Sequence, residues 1–124
     1  MLSSNVLVNV ETRYLQSQSD PEQKQFVFSY TITITNDGSE AIQLLTREWT
    51  INDADGKVTQ VAGDGVVGKQ PVIQPGEAFS YTSGTVLTTP IGSMHGHYGI
   101  CDQQGELHQV AIPAFRLAVP HILH

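Results

Sequence analysis

A single cysteine, Cys101, stands among 124 residues, so neither an intrachain disulfide nor a multi-cysteine zinc site can form. Basic side chains are few. Six Lys and Arg against twelve Asp and Glu leave a formal charge of -6 with the histidines neutral. Such a surface repels phosphate backbones and argues against an extended nucleic-acid footprint. No apolar run approaches the roughly 20 residues of a membrane helix. The opening Met1-Leu2-Ser3-Ser4-Asn5 lacks the basic-then-apolar order of a secretory signal. The expectation is a soluble, cytoplasmic protein with no membrane partner. Only 15% of residues are charged and 40% are apolar, which excludes a disordered acidic tail. No window of a dozen residues shows a 3.6-residue apolar period free of Gly and Pro, so helices are not expected.

What the chain does have is a period of two. Phe26, Phe28, Tyr30, Ile32 and Ile34 share one parity, and Ser29, Thr31, Thr33 and Thr35 hold the other. This describes a strand with one dry and one hydroxyl-rich face. Val6, Val8, Val10, Thr12 and Tyr14 repeat it earlier; Phe79, Tyr81, Thr85 and Leu87 repeat it later, as do Met94, Tyr98 and Ile100. Leu107 to Val119 is a final run in which Pro113 implies an edge position or a bulge. Asn36-Asp37-Gly38-Ser39, Asn52-Asp53-Ala54-Asp55-Gly56, Gln74-Pro75-Gly76-Glu77 and Asp102-Gln103-Gln104-Gly105 punctuate these runs as turns. With no repeat or linker, residues 1–124 read as one all-β domain. Its expected architecture is an immunoglobulin/fibronectin type III-like sandwich of about seven or eight strands.

The third strand changes parity. Ile42 and Leu44 fit one face, whereas Leu45, Trp49 and Ile51 fit the other, so a bulge is predicted near Leu44-Leu45. With Trp49 inward, alternation also sends Arg47 inward, where its guanidinium requires a carboxylate, backbone carbonyls or a rim position. Both are read as structural: Trp49 as the inter-sheet aromatic, Arg47 as the tie between a loop and the sandwich.

Gly63-Asp64-Gly65-Val66-Val67-Gly68 matches G-x-G-x-x-G, but Pro71 and Pro75 follow where a dinucleotide fold needs a helix. The Rossmann reading is therefore rejected. What remains is a structural glycine loop, expected to be irregular, or an anion nest for pyrophosphate or a dinucleotide built on Gly63, Asp64, Gly65, Gly68 and Lys69. His95 and His97, two apart on a strand, face one side and form a candidate pair for a divalent cation, with His108 or a carboxylate as a further ligand. His121 and His124 sit in a C-terminal tail. Cys101 adjoins Asp102, which opposes thiolate formation. Asp53 and Asp55 belong to a turn signature, and no G-x-S-x-G elbow is present. No catalytic residues and no cofactor are expected.

The chain resembles the bacterial ApaG family. The resemblance runs through Tyr14-Leu15, Ser19-Asp20-Pro21, Phe28 to Asn36, Leu44 to Ile51, Val61 to Pro71, Pro75 to Gly84, Gly92 to Tyr98 and Ile112-Pro113-Ala114-Phe115. Where the family commonly has Arg-His-Trp, this chain has Arg47-Glu48-Trp49. The resemblance implies a fibronectin type III-like fold. It also implies association with cobalt resistance, magnesium efflux and diadenosine polyphosphate metabolism, and relatives that look like interaction modules. The resulting expectation is a non-enzymatic module with a protein partner. The alternative is a small-ligand binder, for an anion at the glycine loop or a divalent ion at His95 and His97.

Overall fold

The computed structural model describes residues 5–120; His121 and His124 lie outside them. Eight strands follow one another: β1 Val6–Tyr14, β2 Phe26–Asn36, β3 Ile42–Asp53, β4 Val58–Asp64, β5 Val72–Ile73, β6 Ala78–Leu87, β7 Ile91–Cys101 and β8 Leu107–Ala118. Two short 3-10 turns, Gln16–Gln18 and Pro21–Gln23, link β1 to β2. The strands form a three-stranded sheet, β1-β2-β6, and a second sheet, β4-β3-β7-β8, with β5 beside the start of β3. All pairings are antiparallel. Among the described residues no helix is long and apolar enough to cross a membrane.

The period of two decides which faces meet. On β2 the side chains of Phe28, Tyr30, Ile32 and Ile34 are buried against the second sheet. Their neighbours turn outward, where Thr31 bonds Thr82 at 2.8 Å and Thr33 bonds Ser80 at 2.7 Å. These cross-strand hydroxyl pairs stabilise the sheet from its wet face. From the second sheet, Trp49 is 4% exposed and meets Tyr30 and Phe115 edge-on, with ring centroids 5.4 and 5.8 Å away. It is the central aromatic between the sheets.

Two irregularities adjust this pattern. The β3–β7 register shifts between Leu44 and Thr46, so Leu45 is the extra residue and the inward parity passes from Leu44 to Arg47, Trp49 and Ile51. The β7–β8 register shifts between Met94 and Gly96, so Pro113 and Ala114 together face His95. Pro113 thus sits on both an edge strand and a bulge, the places that tolerate its missing N–H.

Asn36, expected as a turn residue, is fully buried. Its Nδ2 donates to the carbonyls of Glu40 (2.8 Å) and Ile73 (2.9 Å), while Oδ1 accepts from Gly38 N–H (3.0 Å). The side chain therefore fastens the β2–β3 turn to β5. One flank of the sandwich is closed where β1 packs along β8; the opposite flank lies between the edges β4 and β6.

Candidate functional site

Edge strands expose unpaired backbone groups, and folds usually guard them with charge, proline or bulges. On the closed flank, β1 carries Glu11 and Arg13, and β8 carries Pro113, Arg116 and a bulge. On the open flank the guards are missing. β6 has no charged residue and no proline, β4 has only Asp64 at its end, and both keep regular register with their neighbours. Between them runs a cleft of about 230 Å³ lined by Ile51, Asp53, Lys57, Thr59, Val61, Thr85, Val86, Leu87 and Thr88. A second hollow of about 180 Å³, lined in part by Arg47, Trp49, Tyr30 and Ser83, continues it inward. Val58, Val61 and Val86 are 56%, 41% and 58% exposed along this flank.

Arg47 enters the sandwich at this rim. Its Nη1 donates to the carbonyls of Asp64 (3.0 Å) and Gly65 (2.8 Å). The guanidinium lies over Gly63, its partner across the ladder, where a Cβ would stand 2.9 Å from Nη1. Deeper in, the hydroxyls of Tyr81 and Tyr98 hydrogen-bond to each other. Burial pushes the Tyr81 phenol up to about 12, although the bond to Tyr98 and the Arg47 charge act against it. Tyr98 is raised further, first by burial and then by Tyr81.

The glycine motif is a miniature hairpin in which its glycines have separate tasks. Gly63 lies on β4, not in the irregular loop expected for it, and its missing side chain makes room for Arg47. Gly65 has φ +65°, and a Cβ there would lie 2.3 Å from the Lys69 carbonyl. Val66 and Lys69 exchange backbone bonds of 2.8 and 2.9 Å around Val67 (φ 43°) and Gly68 (φ 80°), a primed two-residue turn. The Leu45 bulge supplies the anchor, since its carbonyl accepts Gly65 N–H (2.7 Å) and Gln70 Nε2 (3.0 Å). An anion nest needs successive amides aimed at one point. Here the amides of Val66 and Lys69 close the hairpin, that of Gly65 is held by Leu45, and the carbonyls of Asp64 and Gly65 serve Arg47.

His95 and His97 project from the outer face of the second sheet, paired across the ladder with Thr50 and Glu48. The His97 imidazole contacts the Glu48 carboxylate and lies 3.3 Å from Gln109 Nε2. Glu48 thus meets the imidazole of the next strand. His108 does not join the pair, as its Nε2 is 2.9 Å from Asp102 Oδ2 at the end of the β7–β8 hairpin. The His108 bond, ahead of the backbone bonds from Glu106 and Gln104, holds the Asp102 carboxyl below its ordinary value. Asp53 is lowered in a similar way, chiefly by the Lys57 N–H. The Cys101 thiol donates to the Asp102 carbonyl at 3.4 Å.

Two features were not foreseen as sites. The open flank depends on which strands become edges, and that is set by sheet order and not by any one strand's pattern. The Asp102, Glu106 and His108 grouping depends on hairpin register; its traces in the sequence were the turn Asp102-Gln103-Gln104-Gly105 and the histidine just beyond it.

Fold and surface together define a small two-sheet β-sandwich with one guarded and one unguarded flank. The ApaG domain family model matches residues 16–102. The protein ApaG of Pectobacterium carotovorum subsp. carotovorum is 52% identical over 119 residues, covering 96% of this chain and 95% of that one. Among solved structures, an X-ray structure of a Northeast Structural Genomics Consortium target is 50% identical, with a TM-score of 0.95, covering 100% of this chain and 94% of that one. A structure described as the putative ApaA protein from Bordetella pertussis is 48% identical, with a TM-score of 0.91 and 94% of each chain covered. This chain belongs to the ApaG family.

Proposed function

We propose that this protein is a non-enzymatic, cytoplasmic interaction module of immunoglobulin/fibronectin type III-like kind. Its open flank takes up an extended segment of a partner protein as an added strand on β4 or β6. One observation carries the reading: the two edges with no proline, and no charge but the terminal Asp64, flank the same cleft, while the edges across the molecule are guarded. Strand addition there extends a backbone ladder and lays alternate side chains on Val61 and Val86. The formal charge of -6 favours a segment of net positive charge. The carboxylates Asp53 and Asp102 are held by turn amides, which supports a role outside hydrolysis. On this reading the family's links to cobalt resistance, magnesium efflux and diadenosine polyphosphate metabolism act through the bound protein.

Selection from a random peptide display library on the immobilised full chain tests this. Peptides with alternating apolar side chains should bind saturably, and the pair Val61→Lys with Val86→Lys should abolish that binding while keeping the parent's melting temperature. Failure to select any saturable peptide, or binding indifferent to the two lysines, would refute the reading.

A further inference from the structure

The turns after β3 and β7 are built alike. In the first, Asp53 Oδ1 accepts the N–H groups of Asp55 (2.9 Å) and Lys57 (2.8 Å), and Asp53 N–H donates to the Lys57 carbonyl at 3.0 Å. In the second, Asp102 Oδ1 accepts those of Gln104 and Glu106, each at 2.9 Å, and Asp102 N–H donates to the Glu106 carbonyl at 3.0 Å. Gly56 (φ 86°) and Gly105 (φ 83°) occupy the same left-handed position. Identical backbone geometry is thus achieved with Lys57 and Thr59 in one turn and with Glu106 and His108 in the other. Making the turn accordingly requires neither the Glu106 carboxylate nor the His108 imidazole.

What those two residues add is a convergent set of donor atoms. One ligand atom from each of Asp102, Glu106 and His108 lies within 4.8 Å of the others. Asp102 Oδ1 is occupied by the turn amides, whereas Oδ2 faces His108 Nε2 at 2.9 Å. Metal bonds of about 2.1 Å hold neighbouring ligands roughly 3.0–3.4 Å apart, so an ion fits between these two atoms with little movement. The side chains of Asp102 and His108 are 8% and 25% exposed, while Glu106 is exposed and free to close from solvent. No Lys or Arg lies between residues 102 and 108 to compete with a cation. We propose that this hairpin end binds one divalent transition-metal ion through Asp102 Oδ2, the Glu106 carboxylate and His108 Nε2, which takes the place of the proton shared between Asp102 and His108. Two oxygens and one imidazole suit zinc better than magnesium.

The experiment is a Zn²⁺ titration of the isotopically labelled full chain, followed residue by residue by NMR. One saturable set of shifts should appear at residues 102–108 and on the His108 ring, and millimolar Mg²⁺ should not displace the Zn²⁺. His108→Gln keeps an N–H for Asp102 and so retains the turn; it should lower Zn²⁺ affinity at least tenfold while keeping the metal-free melting temperature. Glu106→Gln, at an exposed position, should also weaken binding and serves if the first variant unfolds. Zn²⁺ shifts confined to His95 and His97, or to His121 and His124, would overturn the proposal. So would unchanged affinity in both variants.

Discussion

Trp49 meets Tyr30 from the facing sheet and Phe115 from β8, so removing it takes away both ring contacts and leaves a cavity between the sheets. Trp49→Ala should cost about 3–5 kcal/mol, measured by urea unfolding; a loss under about 1 kcal/mol would mean that the sheets are held elsewhere. The tyrosine pair gives a pH dependence. Folding raises Tyr81 to about 12 and raises Tyr98 as well, whereas both titrate near 10 in the unfolded chain. Folding thus favours the neutral phenols, and their contribution is complete below about pH 10 and declines as pH rises toward 12. Absorbance of phenolate should show Tyr81 and Tyr98 ionising together with alkaline unfolding, with Tyr81→Phe and Tyr98→Phe assigning the signals. Ionisation of either near pH 10 in the folded protein would contradict this. Asn36 was legible in the sequence only as a turn residue, because its type suits a turn and a buried clasp equally well. Asn36→Ala removes the side-chain donor to the buried Ile73 carbonyl and the half-buried Glu40 carbonyl and should cost about 2 kcal/mol.

At the scale of elements, the glycine hairpin explains its own sequence. Gly65→Ala combines an incompatible φ with a contact on the Lys69 carbonyl and should destabilise by more than about 1 kcal/mol. Val67 stands in the left-handed region, where a β-branched residue is strained and asparagine or glycine is at ease. Val67→Asn should therefore stabilise the protein by about 1 kcal/mol. Pyrophosphate should leave the parent's melting temperature unchanged, because the amides of Gly65, Val66 and Lys69 are already taken by backbone carbonyls; a saturable rise abolished by Lys69→Ala would show an anion site instead. The strands themselves were plain from the alternation in β2 and the parity change at Leu45. Gly63 was misplaced in a loop because its role, clearance for Arg47, arises from the cross-strand partner and not from its neighbours in sequence.

For the whole molecule, the strand pattern established two half-buried sheets, but it could not tell which strands would be edges or which edges would face each other. That arrangement comes from the order β1-β2-β6 against β4-β3-β7-β8, and it concentrates the unguarded backbone on one flank. His95 and His97 were correctly expected on one strand, yet the sequence does not show Glu48 beside His97 or the removal of His108 to Asp102. The most direct test of strand addition is amide hydrogen exchange of the full chain with and without a selected peptide, read residue by residue. Strand addition predicts new protection confined to β4 or β6, with β1 and β8 unchanged. Protection centred on β1, β8 or the glycine hairpin, or none at all in a saturated complex, would contradict it.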